Sequence, residues 1–230
     1  MSVDFQASLF DSVEDPLGAA TAGGTPSAGG SAARRPRLAS LADSVRRHRL
    51  SRGAWVDVRP GWVSGSDDLF AELVRDVPWH AERRQMYERV VDVPRLLKFY
   101  GEGERLPHPL LAEARDALSR HYGPELGEPF TTAGFCFYRD GRDSVAWHGD
   151  TIGRSSREDT MVAIVSFGEA RRLLLRPRNG GGTTHAFPLG HGDLLVMGGS
   201  CQRTWEHAVP KTARPVGPRI SVQYRPHDVR

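Results

Sequence analysis

His148-Gly149-Asp150 sets an imidazole and a carboxylate two residues apart. On an extended strand, residues i and i+2 point to the same side, so the two groups converge. A second imidazole would complete the two-histidine, one-carboxylate face that holds Fe(II) and leaves positions open for O2 and a co-substrate. Of the nine histidines, His48 lies in a basic run, His227 near the end, and His80, His108 and His121 ahead of the strand-rich part. His185 and His191 flank Phe187, beside a Gly-rich loop and a Gly-Asp turn. His207 lies on a predicted strand, Thr204-Trp-Glu-His-Ala-Val, downstream of the turn Gly190-His-Gly-Asp193. Arg219 and Arg225 are spaced to share one face of the last predicted strand. A dicarboxylate that chelates iron at one end needs a cation at the other, and Arg219 can supply it. Each piece has an ordinary alternative: a surface pair, a core histidine, solvent-facing arginines. Their order and spacing together favour a site.

The elements that must position these residues are short. Past residue 129, Gly, Pro and Asp break the chain into candidate strands at Thr131–Tyr138, Ser144–Trp147, Met161–Phe167 and Arg171–Arg176, then Thr184–Leu189, Asp193–Met197, Arg203–Val209 and Arg219–Tyr224. About eight strands at this spacing predict a sandwich or jelly roll. Ahead of them, Ala54–Val58 reads as a strand. Ser66 reads as the N-cap of a helix with Leu69, Phe70, Leu73 and Val74 apolar. Leu110–Tyr122 reads as a helix with Leu111, Ala114, Leu118 and Tyr122 on one face, closed by Gly123-Pro124. Residues 41–50 read as a short basic helix. The expected class is α+β.

With these residues in place, the chain resembles the AlkB family of Fe(II)/2-oxoglutarate-dependent dioxygenases. The resemblance is carried by His148-x-Asp150, His207 and Arg219-x5-Arg225. The stretch Tyr138-Arg-Asp-Gly-Arg-Asp-Ser-Val-Ala-Trp-His-Gly-Asp150 looks especially like the branch with the eukaryotic DNA-repair homologues. It covers roughly residues 54–226 and is specific from residue 137 onward. It implies a double-stranded β-helix (jelly-roll) core with an N-terminal α/β substrate-recognition lid. It implies Fe(II) on His148, Asp150 and His207. Tyr138 and Ser221 would hydrogen-bond 2-oxoglutarate, Arg219 would pair its far carboxylate, and Arg225 would support the near carboxylate or the iron site. The implied chemistry spends O2 and 2-oxoglutarate, giving succinate and CO2, to hydroxylate an N-methyl group that leaves as formaldehyde. The implied partner is alkylated DNA, preferably unpaired. The alternatives are RNA, tRNA or protein under the same chemistry, or a jelly-roll binding module that has lost oxidation.

The sequence departs from the family in four places. Cys136 stands where the family has Asn, and Ser221 and Gln223 stand where it has Asn and Thr. Thr151-Ile152-Gly153-Arg154 follows the HxD where many repair enzymes place acids that read the base. Met86-Tyr87, Val93-Pro94-Arg95 and Tyr100-Gly101 resemble the lid in order. Met86 or Tyr87 is the expected wedge or stacking partner of a flipped base, and Tyr100 is expected near the pocket. Tyr87 as a core residue of a helix is the rival reading. Arg139, Arg142 and Arg154 are the expected phosphate contacts.

The expected organisation is a disordered tail and Gly/Ala/Ser-rich linker (1–36), a basic segment (37–53) and one dioxygenase domain (54–230). Within the domain, 54–129 would form the lid and supporting helices and 130–226 the core. The net charge is +3, but residues 1–33 carry four acids and no base, and residues 34–52 carry seven arginines against one acid. No apolar run approaches the roughly 18 residues of a membrane span. Two cysteines and no leader pattern at Met1–Gln6 predict a cytoplasmic protein that contacts no membrane, and a monomer is expected. Gln6-Ala7-Ser8-Leu9-Phe10 looks like the peptide that docks bacterial polymerases on the sliding clamp. There Leu9 and Phe10 would enter an apolar pocket while Gln6 bonds at its edge, and the linker would tether the enzyme near DNA.

Overall fold

A computed structural model describes residues 35–42, 44–86, 89–180 and 184–229, with the side chains of residues 84–92 left out. In chain order the strands are β1 (Arg37–Leu38), β2 (Arg46–Arg49), β3 (Ala54–Arg59), β4 (Val63–Ser64), β5 (His80–Met86), β6 (Arg89–Tyr100) and β7 (Thr132–Tyr138). They continue with β8 (Val145–His148), β9 (Val162–Gly168), β10 (Arg171–Pro177), β11 (His185–Leu189), β12 (Leu194–Gly199), β13 (Trp205–Val209) and β14 (Arg219–Arg225). The helices are α1 (Asp67–Asp76), α2 (Pro109–Leu126) and the single turn α3 (Cys201–Thr204).

Eight strands form one antiparallel sheet, in the order β2-β3-β12-β9-β14-β7-β6-β5, and four form a second, β11-β10-β13-β8. The two pack face to face as the jelly roll that the strand spacing implies. Strand parity sorts the residues. On β7, Ala133, Phe135 and Phe137 pack outward with α1 and α2, while Cys136 and Tyr138 turn between the sheets. On β14, Ile220, Val222 and Tyr224 face outward in the same way. Arg219, Ser221, Gln223 and Arg225 therefore face inward, because successive side chains alternate. The polar residues of the sequence motif share the inner face for this reason alone.

Residues 41–50 correct the expected basic helix. Arg46–Arg49 are the edge strand β2, paired with β3 so that Arg47 lies opposite Asp57. A helix would crowd Arg46, Arg47 and Arg49 into one turn. The strand instead sends Arg47 to Asp57, with Nε to Oδ1 at 2.8 Å and Nη2 to Oδ2 at 2.9 Å, and lays its guanidinium 3.7 Å over Trp55. Tyr122 of α2 donates to the same buried carboxylate at 3.1 Å. The segment 37–53 is thus hydrogen-bonded into strands of the domain that follows it. Arg47→Ala leaves the Asp57 carboxylate buried with only a phenol for company. Breaking a buried pair costs about 3–5 kcal/mol, and the partial exposure of Arg47 lowers this to roughly 2–3 kcal/mol. Urea unfolding checks the value, and a loss under roughly 0.5 kcal/mol would show that Asp57 is satisfied without Arg47.

α1 begins where expected, but Ser66 does not cap it through its hydroxyl. Ser66 Oγ lies 2.6 Å from His191 Nε2, while His191 Nδ1 accepts from Gly168 N at 2.9 Å. The ring therefore carries its proton on Nε2 and donates to Ser66, so His191 ties α1 to two turns of the large sheet. α2 buries the predicted face but runs four residues past Tyr122. Pro124 sits in its last turn, where only one hydrogen bond is lost, and Gly127 ends the helix at φ 83°. The strand expected from Arg203 starts at Trp205, after the turn α3. β6 tolerates Pro94 because the register against β5 shifts at that point and no ladder bond is lost. Among the described residues no helix is long and apolar enough to cross a membrane.

Candidate metal and co-substrate site

β13 and β8 pair with His207 directly opposite His148, and the two rings lie 4.2 Å apart between centroids. A cross-strand pair thus supplies two ligands from opposite ends of the core sequence. β8 ends at His148, so Asp150 lies beyond the strand and the i, i+2 argument does not place it. Other contacts do. Asp150 N donates to Gln202 Oε1 at 3.0 Å, and Arg225 Nε donates to Asp150 Oδ2 at 2.8 Å. Asp150 Oδ1 stands 3.7 Å from His148 Nε2. One donor atom from each of His148, Asp150 and His207 lies within 4.8 Å of the others. Among the described residues no other His, Cys, Asp or Glu cluster meets that spacing. His185 and His191 are elsewhere: His185 packs on Phe187 and Trp205.

The protonation states suit a metal. His148 Nδ1 lies 2.8 Å from Ala146 O, to which it donates, so Nε2 is the ring nitrogen left to face Asp150. Burial, with His148 and Arg225 adding to it against Asp150, pulls His207 down to about 3, so the ring is neutral. Burial alone would push the Asp150 carboxyl up, but Arg225, His207 and His148 outweigh it and hold Asp150 below the usual carboxylate range. Two imidazoles and one carboxylate are the donor set of a non-haem Fe(II) face, and the residues fit that ion.

Beside the triad lies a cavity of about 70 Å³. Its lining includes Tyr138, Arg219, Ser221, Gln223, Arg225 and Arg95. Arg219 is 1% exposed. Its Nε donates to Ser166 Oγ at 2.9 Å, but its buried Nη1 has no partner. Its guanidinium lies 5.2 Å from the ring of Tyr138, its neighbour across the ladder. Burial and Cys136 push the Tyr138 phenol up to about 12 despite Arg219 and Arg95, so it stays a donor. An unpartnered guanidinium N–H and a neutral phenol at the end of a cavity that opens on the triad fit a dicarboxylate. The departures from the family pattern form a chain of their own. Gln223 Nε2 donates to Ser221 Oγ at 2.6 Å, and Cys136 Sγ donates to Gln223 Oε1 at 3.7 Å. Gly134 leaves room for Arg225, whose Nη1 would lie 2.9 Å from a Cβ there.

The structure gathers the other expected residues less completely. Tyr100 does not reach the cavity. It packs on Phe135, at 5.0 Å between centroids, on the outer face, because its even position on β6 is the parity opposite to Arg95 and Leu97. The three expected phosphate arginines are each matched by an acid: Arg139 by Asp143, Arg142 by Asp140, Arg154 by Glu128 and Glu158. Arg154 Nε also donates to His227 O at 2.9 Å, which fastens the loop after Asp150 to the chain end. Ile152 on that loop is 67% exposed. Met86 ends β5, with its side chain outside the description. Tyr87 and the Gln6, Leu9 and Phe10 peptide lie outside the described residues. Gln202 and Ser166 are additions that the sequence did not mark, and Arg95, expected only as part of the lid, lines the cavity. Parity along β6 signals Arg95 once β6 is known to be a strand, whereas no local pattern marks Gln202.

A family profile described as the 2OG-Fe(II) oxygenase superfamily matches residues 73–225. The alpha-ketoglutarate-dependent dioxygenase alkB homolog 3 of Bos taurus is 32% identical over 193 residues, covering 72% of this chain and 64% of the bovine protein. The DNA oxidative demethylase ALKBH2 of Homo sapiens is 27% identical over 182 residues, covering 70% of this chain and 68% of the human one. Two solved structures share the fold. The structure titled OsALKBH1 gives a TM-score of 0.55 at 13% identity, over 79% of this chain and 100% of that one. A 2OG-Fe(II) oxygenase family oxidoreductase from Burkholderia pseudomallei gives 0.52 at 14%, over 74% and 84%. The chain belongs to the 2OG-Fe(II) oxygenase superfamily, and the two relatives named above are AlkB homologues. It spans 64% of the length of the bovine relative. The superfamily uses Fe(II), 2-oxoglutarate and O2, and the donor set and cavity above fit all three.

Proposed function

We propose that the protein oxidatively removes N-methyl groups from nucleic-acid bases, with unpaired DNA as the substrate. The observation that carries this is the His-Asp-His face at one side of a cavity whose far end holds an arginine N–H with no partner. Fe(II) with 2-oxoglutarate and O2 supplies the oxidising power to hydroxylate a methyl carbon, after which the N–C bond breaks to free formaldehyde. The chain's own residues do the rest. Arg219 and Tyr138 fix the far carboxylate and so aim the co-substrate at the triad. Arg225 holds Asp150 ionised. The base has to leave its stack to reach a site this enclosed, which favours single strands. Names among the relatives support DNA, since one is a DNA oxidative demethylase.

Thr151 and Ile152 follow Asp150, so no carboxylate from this loop meets the base's exocyclic amine. Weak discrimination between 1-methyladenine and 3-methylcytosine is expected in consequence. Mass spectrometry of a methylated oligonucleotide panel tests both points. Single-stranded DNA should be demethylated at least about tenfold faster than RNA or duplex, with the two lesions within about tenfold of each other. Equal or faster turnover of RNA would transfer the proposal to RNA. Turnover of 2-oxoglutarate with no oligonucleotide demethylated would place the substrate outside nucleic acid.

A further inference from the structure

We infer that Gln202 is the positioning residue that aims Asp150 at the metal. Asp150 lies past the end of β8, so no ladder bond fixes its backbone. Its N–H is instead held by the Gln202 side chain, at 3.0 Å in a buried setting. Gln202 is 1% exposed, and its Nε2 donates to Met197 Sδ, a weak acceptor, at 3.9 Å. A buried amide whose N–H meets only a thioether gains little from the fold, and an apolar side chain of the same size would suit it better. Its presence is explained by what its oxygen does.

Gln202 sits on α3, which runs without a break into β13 and His207. One short turn therefore carries one ligand and grips another. The turn is itself fixed: Ser200 Oγ donates to Arg52 O at 2.6 Å, and Thr204 N donates to Ser200 O at 2.9 Å. The loop between the ligands is pressed onto it. A Cβ on Gly149 would stand 2.6 Å from Gln202 O and 2.6 Å from Arg178 Nη2. The glycine is required there by close approach, and the approach lets Gln202 reach the next residue's N–H.

The test uses Mn(II) as the probe, on the full chain. Gln202→Met keeps the volume and removes the acceptor. It should weaken Mn(II) binding by about 10–100-fold, the usual effect of losing a group that orients a ligand. Its melting temperature should equal or exceed the parent's. Gln202→Glu keeps an oxygen in the same place and should retain parental affinity or bind tighter. Parental Mn(II) affinity in Gln202→Met, or equal losses in both variants, would overturn the inference. Hydrogen exchange on the unaltered protein decides independently if Gln202→Met fails to fold. The Asp150 amide should exchange far more slowly than that of exposed Ile152, and equal rates would overturn the inference.

Discussion

His148→Ala, Asp150→Ala and His207→Ala should each abolish iron-dependent conversion of 2-oxoglutarate to succinate, and only one of the three should also destabilise the protein strongly. The common loss follows from the donor set, since two ligands leave the metal underbound and misplace the co-substrate. The difference follows from what each residue touches. His148 is on the rim and half exposed, so its removal costs the fold little. His207 is a buried neutral ring with no hydrogen bond to leave broken. Asp150 is the counter-ion of Arg225, at 2.8 Å, with side-chain exposures of 5% and 14%. Removing it strands a buried guanidinium, at a cost of about 3–5 kcal/mol. Urea unfolding of the three metal-free variants, beside their succinate yields, checks the pattern. Full activity in His207→Ala would remove His207 from the ligand set. Equal stability losses would mean that Arg225 is satisfied without Asp150.

The second large effect falls on the co-substrate. Arg219→Ala should raise the Michaelis constant for 2-oxoglutarate at least about thirtyfold, equivalent to roughly 2 kcal/mol. Turnover at saturation should fall much less. The same substitution should not destabilise the protein without co-substrate, because it removes a buried cation whose Nη1 is unpaired and whose charge burial disfavours. Arg219→Lys should recover only part of the affinity, since one ammonium cannot serve both Ser166 and a carboxylate in the guanidinium's geometry. An unchanged Michaelis constant would mean that the dicarboxylate binds another cation of the cavity, Arg95 or Arg225.

The sequence made the chemistry readable sooner than the geometry. The strands β7 to β14 were legible because Gly, Pro and Asp separate them, and the alternation on β14 predicts that Arg219 and Arg225 share a face. Pairing partners are another matter. That His148 faces His207 depends on hairpins closing across most of the core, which no local pattern encodes. Asp150 shows the limit clearly. The spacing of His148 and Asp150 suggested one strand, whereas the chain leaves the sheet between them and a glutamine on another element restores the convergence. The basic run at 41–50 failed as a helix because its deciding partner, Asp57, is a tertiary contact. Tyr100 was placed at the pocket by likeness of order, and one residue of strand parity puts it on the other face.

On the proposed function, this triad and this cavity couple 2-oxoglutarate oxidation to removal of a methyl group from a base. The most direct measurement follows succinate, formaldehyde and the mass of a single-stranded 3-methylcytosine oligonucleotide in one reaction with Fe(II) and O2. One succinate and one formaldehyde are expected for each methyl group lost, all three abolished together in Asp150→Ala. Succinate formed at the same rate with and without the oligonucleotide, and no loss of methyl, would contradict it.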